Sequence, residues 1–332
     1  MHVCLSRGFA GTERATTEIC NAHVGEHDVC LVVRRGHRTA NGVSMLDRLD
    51  PRVVVRAVGD WFARRGIARA LNEFRPQIVH THLRRATRLV ARLAPPCATI
   101  ATLHLWANGR QFLDMDGLIV IAAWQRRALA RYRGRIYAIE ESLMPHRVLA
   151  AAEVQTLRHE LGAGPDDFLI GGVGRLARSK GFDTLIRAYL DAGIAGARLA
   201  LIGDGRERRR LEKLAAGRVH FAGFKPNAKD YYQAFDLFVL PSRSEPLGRV
   251  VLEALDAGTP VLATATQGPS EILARHPGEL TAVDDVAALA AKLRALAASR
   301  PGRVRAALGA HHLESVAAQT LAAYRELIGA RS

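Results

Sequence analysis

The sequence predicts an α/β protein built from two doubly wound domains. Three observations lead there: short β-branched apolar runs alternate with longer amphipathic stretches, a turn-rich segment interrupts that alternation near the middle, and 332 residues suit about two ordinary domains. In the first half the strand-like runs are His2–Ser6, Asp28–Val33, Arg52–Ala57, Gln77–Thr81, Ala98–Leu103, Gly117–Ala122 and Arg135–Ile139, with helical stretches between them. The segment Pro145–Asp167, which ends in Gly162-Ala163-Gly164-Pro165-Asp166-Asp167, carries the turn residues of a domain boundary. A second wound unit then offers strands at Phe168–Gly174, Ala197–Gly203, Arg218–Ala222, Asp236–Pro241, Pro260–Ala263 and Glu279–Val283, and after Asp284 the chain reads as helical to its end. The expected division is 1–150, 165–305 and a C-terminal helix over 306–332 that packs back toward the first domain. Open α/β sheets bind ligands at the carboxyl ends of their strands, so two such domains facing across a cleft would hold their chemistry there.

Composition narrows the class. Hydrophobic residues at 48% and charged residues at 24% match a globular chain rather than a disordered one. No apolar run approaches the roughly 18–20 residues of a membrane span, and Met1–Arg7 lacks the pattern of a secretory signal, so a cytoplasmic location is expected. Cys4, Cys20, Cys30 and Cys97 are scattered without a C-x-x-C pair and read as reduced thiols. Against 32 Asp and Glu stand 47 Lys and Arg, a net charge of +15 that predicts an anionic partner. Only Lys180, Lys213, Lys225, Lys229 and Lys292 are lysines; the rest of the excess is arginine, the bidentate ligand for phosphate and carboxylate. A basic nucleic-acid-binding protein is a rival reading, but aromatic residues at 6% and the lack of a recognition motif argue for no nucleic-acid partner.

Several glycine motifs are excluded by their spacing. Gly172-Val173-Gly174 and Gly203-Asp204-Gly205 both begin a dinucleotide fingerprint, yet the third glycine position is Ala177 in one and Arg208 in the other. No phosphate-binding G-x-x-x-x-G-K-[ST] loop occurs. Asp114-Met115-Asp116 imitates a metal-binding D-x-D but enters a strand rather than ending one, and it reads as a turn.

The densest chemistry lies between Gly174 and Glu253. Gly174-Arg175-Leu176-Ala177-Arg178-Ser179-Lys180-Gly181 joins a buried strand to the next helix, so Arg175 and Lys180 sit at a strand's carboxyl end beside a helix N-terminus. Two cations and free backbone N–H groups suit a diphosphate, although a solvated basic loop would look the same. Further on, Glu245 precedes Pro246, which favours a helix starting at Pro246 or Leu247. Glu253 then lies two turns later, roughly 12 Å along the axis, about the span from sugar to ribose in a nucleotide sugar. Leu247 and Gly248 would offer backbone N–H groups to the phosphates between them, and Gly248 allows close approach. Taken singly, Glu245 could be a helix-start charge and Glu253 a surface residue; the apolar neighbours Val250, Val251, Leu252, Ala254 and Leu255 make the second reading strained.

Glu245 and Glu253, with seven residues between them, resemble the E-x7-E motif of the retaining glycosyltransferases of the GT-B fold. Gly174-Arg175-Leu176 through Lys180-Gly181 resembles their G-R-L-x-x-x-K-G loop, and Gly171–Ile272 as a whole is similar to family 4 of that class. The resemblance implies two Rossmann-like domains facing across a cleft, a nucleotide-sugar donor as substrate, and no metal or other cofactor. It gives Arg175 and Lys180 to the donor diphosphate, Glu245 to the transferred sugar, Glu253 to the ribose hydroxyls, and the Gly223-Phe224-Lys225 turn to the base. In the first half, Phe9-Ala10-Gly11-Thr12-Glu13 is similar to the family's phosphate-side glycine loop, with Ala10 in place of one glycine and Gly11 retained. Ala101-Thr102-Leu103-His104 resembles its strand ending in a histidine beside the sugar, and His80-Thr81-His82 its H-x-H strand end. His82 and the following Arg84 are assigned to the acceptor. The chain departs from its relatives at Ile139-Glu140-Glu141-Ser142-Leu143-Met144-Pro145, where they often carry an Asn-Gly turn.

The expected reaction is transfer from a UDP-sugar, with retained configuration, to a glycan or glycolipid such as a lipopolysaccharide core or lipid-linked saccharide. Arg175 and Lys180 would neutralise charge growing on the departing phosphate, and His104 would bond a sugar hydroxyl. A sugar-nucleotide epimerase or hydrolase on the same fold is the other enzymatic alternative. Gly59–Phe74 reads as an amphipathic helix with Arg64, Arg65 and Arg69 opposing Ile67, Leu71 and Phe74. It either packs on the sheet as an outer helix or also lies on anionic lipid at the cytoplasmic face of the inner membrane.

Overall fold

The computed structural model describes residues 1–37, 43–106 and 109–331. They form two units, Met1–Met144 with Gly309–Ser332, and Pro145–Leu308.

In the first unit the strands are β1 (His2–Cys4), β2 (Cys30–Arg34), β3 (Val54–Val58), β4 (Ile78–His82), β5 (Ala98–Leu103), β6 (Gly117–Val120) and β7 (Arg135–Ala138). They pair in parallel in the order β3-β2-β1-β4-β5-β6-β7. Helices α1 (Gly11–His23), α2 (Ala63–Phe74) and α3 (Leu83–Ala91) connect the early strands. Strand alternation sends Val3, Cys30, Val32, Val79, Ala101, Leu103, Leu118 and Val120 into one core with Ile67, Ala70, Ala86 and Val90 of α2 and α3. The neighbouring residues on β1, β4 and β5 include His2, His80, His82 and Thr102, all buried.

The second unit has β8 (Phe168–Val173), β9 (Ala197–Ile202), β10 (His220–Gly223), β11 (Leu237–Leu240), β12 (Val261–Thr264) and β13 (Glu279–Thr281). Again all pairs are parallel, in the order β10-β9-β8-β11-β12-β13. Helices α4 (Ala151–Glu160), α5 (Phe182–Ala192), α6 (Arg208–Ala215), α7 (Arg249–Asp256), α8 (Gln267–Leu273) and α9 (Val286–Ser299) accompany it, and α10 (Leu313–Gly329) belongs to the first unit. Phe182, Leu185 and Ile186 of α5 pack with Leu289 and Leu293 of α9 over Ile170, Leu199 and Leu201.

The two units divide at Met144 and Pro145, where the expected boundary segment Pro145–Asp167 begins; α4 occupies its middle, and buried Arg158 ties it down through the Ala234 and Asp167 carbonyls and the Asp236 carboxylate. Three expectations are corrected. Residues 300–308 are not helical. Arg300 takes a left-handed backbone (φ 41°) and Pro301 removes a donor, so α9 ends and a new helix starts only at Leu313. The basic helix begins at Ala63 rather than Gly59, because Asp60 is held by Arg34 and Arg85. Finally, α7 starts at Arg249, after Gly248 (φ 86°), and not at Pro246 or Leu247. Among the described residues no helix is long and apolar enough to cross a membrane.

Candidate functional site

In a doubly wound sheet the crevice opens where the strand order reverses, because the loops leaving the two central strands run to opposite faces. In the second unit that point lies between β8 and β11. The loop after β8 holds Gly174, Arg175 and Lys180, and the loop after β11 holds Ser242, Glu245, Leu247 and Gly248. The fold therefore brings together residues that are far apart in the chain.

Local structure fixes both loops closely. Gly174 N–H donates to the Ile202 carbonyl at 2.9 Å, and Leu176 N–H to that of Asp204 at 2.9 Å. A short turn over Arg178–Lys180 ends at Gly181 (φ 64°), which caps α5. A Cβ on Gly181 would lie 2.0 Å from the Pro241 carbonyl oxygen, so only glycine lets the two loops touch. Arg243 then clamps them: its guanidinium donates to both Asp183 oxygens (2.8 and 3.1 Å) and to the Arg178 carbonyl (2.7 Å), while its backbone N–H meets the Ser179 carbonyl at 2.8 Å. Burial works against the Asp183 carboxylate, yet Arg243 holds its pKa below the ordinary value.

Within this frame Lys180 Nζ donates to Glu245 Oε2, and the Ser242 hydroxyl donates to the same oxygen at 3.3 Å. Both charged groups are partly open, at 25% and 12% of their side-chain surface. Arg175 is exposed and makes no ion pair among the described residues. Glu253 is buried in α7, accepting from the Tyr232 hydroxyl at 3.2 Å with Arg249 Nε at 3.6 Å. With α7 starting at Arg249, Leu247 stands before the helix, packed so closely that a Cβ on Gly268 would meet its carbonyl oxygen at 2.1 Å. Phe224 is 40% exposed at the end of β10, after Gly223 (φ 72°). The site thus offers a cation already paired with a carboxylate, a free arginine and a backbone turn, a set suited to an anion with a hydroxylated neighbour.

In the first unit the order reverses between β1 and β4. Gly11 begins α1 after β1, exposed, with open space where a Cβ would stand. After β4, Leu83 takes a left-handed backbone (φ 67°), strain of about 1–3 kcal/mol of the kind found at functional turns, and Arg84 follows it exposed. The histidines differ from expectation. His82 is buried, with Nε2 bonded to His2 Nδ1 at 3.1 Å and Nδ1 to His104 Nε2 at 3.0 Å, so it offers an acceptor no free nitrogen. His104 keeps one nitrogen uncommitted: Nδ1, buried and without a hydrogen bond, lies 3.5 Å from Glu141 Oε2. His80 bonds the Tyr324 hydroxyl at 2.5 Å and the Thr102 hydroxyl at 2.6 Å.

Burial, reinforced by the neighbouring imidazoles, pushes His2, His80 and His82 well below the usual histidine pKa, so these rings are neutral. Among the described residues they are also the one group with metal-type donors close together, within 4.8 Å. Their nitrogens are engaged with one another and with hydroxyls, and His80 and His82 overlap at 30° and 4.3 Å. Sequence reasoning gave no role to Arg243, Ser242, His2 or Glu141. Each acts through a partner distant in the chain, and only pairing of the strands and loops reveals it.

Comparison with known proteins gives a consistent picture. The family model for glycosyl transferases group 1 matches residues 153–311. A lipopolysaccharide core biosynthesis glycosyltransferase of Rhizobium meliloti, LpsE, is 36% identical over 160 residues, 46% of this chain and 46% of the relative. The 2-deoxystreptamine N-acetyl-D-glucosaminyltransferase of Streptomyces fradiae is 32% identical over 259 residues, 65% of this chain and 61% of the relative. The matches to these relatives cover about half of the one and three fifths of the other. Among solved structures, Anabaena HepE in complex with UDP and glucose aligns with a TM-score of 0.77 at 18% identity, covering 99% of this chain and 97% of that one. The fold is GT-B.

Proposed function

We propose that the chain, whose residues 153–311 match the family model for glycosyl transferases group 1, transfers a sugar from a nucleoside diphosphate sugar to a glycan acceptor. The observation that carries this reading is the Lys180–Glu245 pair at the switch point of the second sheet. In the reading, Lys180 and Arg175 take the diphosphate, which releases the Glu245 carboxylate to accept from a hydroxyl of the transferred sugar. Glu253 accepts from the ribose, Phe224 marks the turn that meets the base, and Gly174, Leu247 and Gly248 form the backbone wall. His104 stands beside the sugar, while Gly11 and Arg84 flank the strand ends of the first unit.

Charge that builds on the β-phosphate as the glycosidic bond breaks is neutralised by Lys180 and Arg175. Their placement before the reaction supports stabilisation without a metal. Configuration is retained by attack from the face the phosphate leaves, the departing phosphate oxygen taking the acceptor's proton. UDP is the favoured donor nucleotide, since HepE was solved with UDP and glucose, and a lipopolysaccharide core or lipid-linked saccharide is the favoured acceptor, by likeness to LpsE. Contact with an anionic membrane at the cytoplasmic face is supported by Trp61 and Phe62, 95% and 66% exposed, beside exposed Arg64 and Arg65 at the start of α2.

The test is incubation with UDP-sugars and truncated core oligosaccharide, with the product's anomeric configuration read by NMR. Transfer with retention supports the reading. Donor turnover without transfer, or an inverted product, refutes it.

A further inference from the structure

His2, His82 and His104 lie in a line. Their nitrogens meet at 3.1 and 3.0 Å, and their ring centroids are 5.4 and 5.3 Å apart with interplanar angles of 11° and 34°. Rings that separated, with nitrogens that close, meet edge to edge along an N–H···N axis rather than face to face. Each ring uses Nδ1 on one side and Nε2 on the other in the same sense, from His2 Nδ1 to His82 Nε2 and from His82 Nδ1 to His104 Nε2. At the end stands His104 Nδ1, facing Glu141 at the edge of a cavity of about 30 Å³, room for a water.

A neutral imidazole has one donor and one acceptor, and an ionised carboxylate only accepts. A His104 that turns Nδ1–H toward Glu141 must therefore accept at Nε2. His82 must then donate from Nδ1 and accept at Nε2, which obliges His2 to donate from Nδ1. One carboxylate decides three rings. The other titratable groups nearby have partners of their own: His80 bonds Thr102 and Tyr324, His23 bonds the Ala317 carbonyl, Glu18 accepts from Ser142, and His311 pairs with Glu140.

We propose that Glu141 is a positioning residue that ends a relay through His104, His82 and His2 and locks all three in the Nδ1–H tautomer, so that the His104 ring is held in one orientation. This rests on the reading above, in which His104 stands beside the sugar, and it explains how a buried ring is kept in one state.

Nitrogen-15 NMR of histidine-labelled full-length protein at pH 7.5 reads the tautomers directly. The wild type should show three coupled rings as Nδ1–H. Glu141→Leu should reverse the parity, turning them to Nε2–H, and Glu141→Asp should restore Nδ1–H. Transfer by Glu141→Leu should fall about tenfold or more in kcat with the donor KM unchanged, and recover in the aspartate variant. Wild-type rings found as Nε2–H, or stoichiometric zinc bound to them, would overturn the proposal, and neither result depends on the variant folding. Rings found as Nδ1–H in a protein that transfers no sugar would refute the proposed reaction and leave the relay standing.

Discussion

At the switch point of the second sheet, Lys180 and Glu245 form an ion pair on loops that remain partly open, whereas around that of the first sheet His2, His80 and His82 are neutral and buried. The same topology thus supports two kinds of polar site. The charged one is held by a guanidinium clamp and by glycines that admit backbone contact, and it can exchange its internal ion pair for a ligand's charge. The neutral one is held by donor–acceptor matching between rings, which fixes orientation without a net charge. In the proposed reaction the first kind binds an anion and the second holds a ring in one orientation.

The comparison breaks most visibly at Lys180. Lys180→Ala should lower kcat/KM by about 10²–10³-fold, a loss of about 2.7–4 kcal/mol of transition-state stabilisation, while the melting temperature stays close to wild type. A variant that unfolds instead would show the ion pair to be structural. Gly181→Ala attacks the frame rather than the charge. With φ at 64° and the Pro241 carbonyl in the way, it should destabilise the second unit by about 2–4 kcal/mol in urea unfolding, and near-neutral stability would contradict the tight loop contact.

Acid should separate the units. Unfolding frees His2, His80 and His82 to titrate near their ordinary pKa of about 6.5, so below that pH the unfolded chain binds protons the folded one refuses. Stability present above about pH 6.5 is lost as pH falls, by up to about 1.4 kcal/mol per ring per pH unit. Asp183 in the second unit has its pKa depressed, so its contribution is lost only further down, as pH falls through the carboxylate range. All three tryptophans lie in the first unit, so tryptophan fluorescence should report loss of structure between pH 6.5 and 5. A fluorescence melt flat across that range would contradict neutral burial. The smallest effect is expected at Trp61→Ala, within about 0.5 kcal/mol in stability, yet it should abolish sedimentation with anionic liposomes at low salt.

The strands were legible because their apolar β-branched runs are short and regularly interrupted. Helix starts were not: Asp60 is captured by the distant Arg34 and by Arg85 before α2, and the left-handed backbone of Gly248 delays α7. The turn residues flanking α4 hid that helix, whose anchor, Arg158, reaches Ala234 and Asp236 more than seventy residues on. At the site, the cations of the Gly174–Gly181 loop and both glutamates were readable from spacing, but the Lys180–Glu245 pair joins residues 65 apart and needs the sheet to bring them together. The i, i+2 spacing of His80 and His82 announces a shared face; His2 reaches that face only through β1–β4 pairing, and Glu141 carries no pattern at all.

Calorimetric titration of UDP into the wild type and into Lys180→Ala, with a parallel thermal melt, bears most directly on the charged site. UDP at about 100 times its dissociation constant should stabilise the wild type by roughly 2.7 kcal/mol, and that gain should largely vanish in the variant. A wild type that neither binds nor is stabilised by UDP, ADP or GDP would contradict the account.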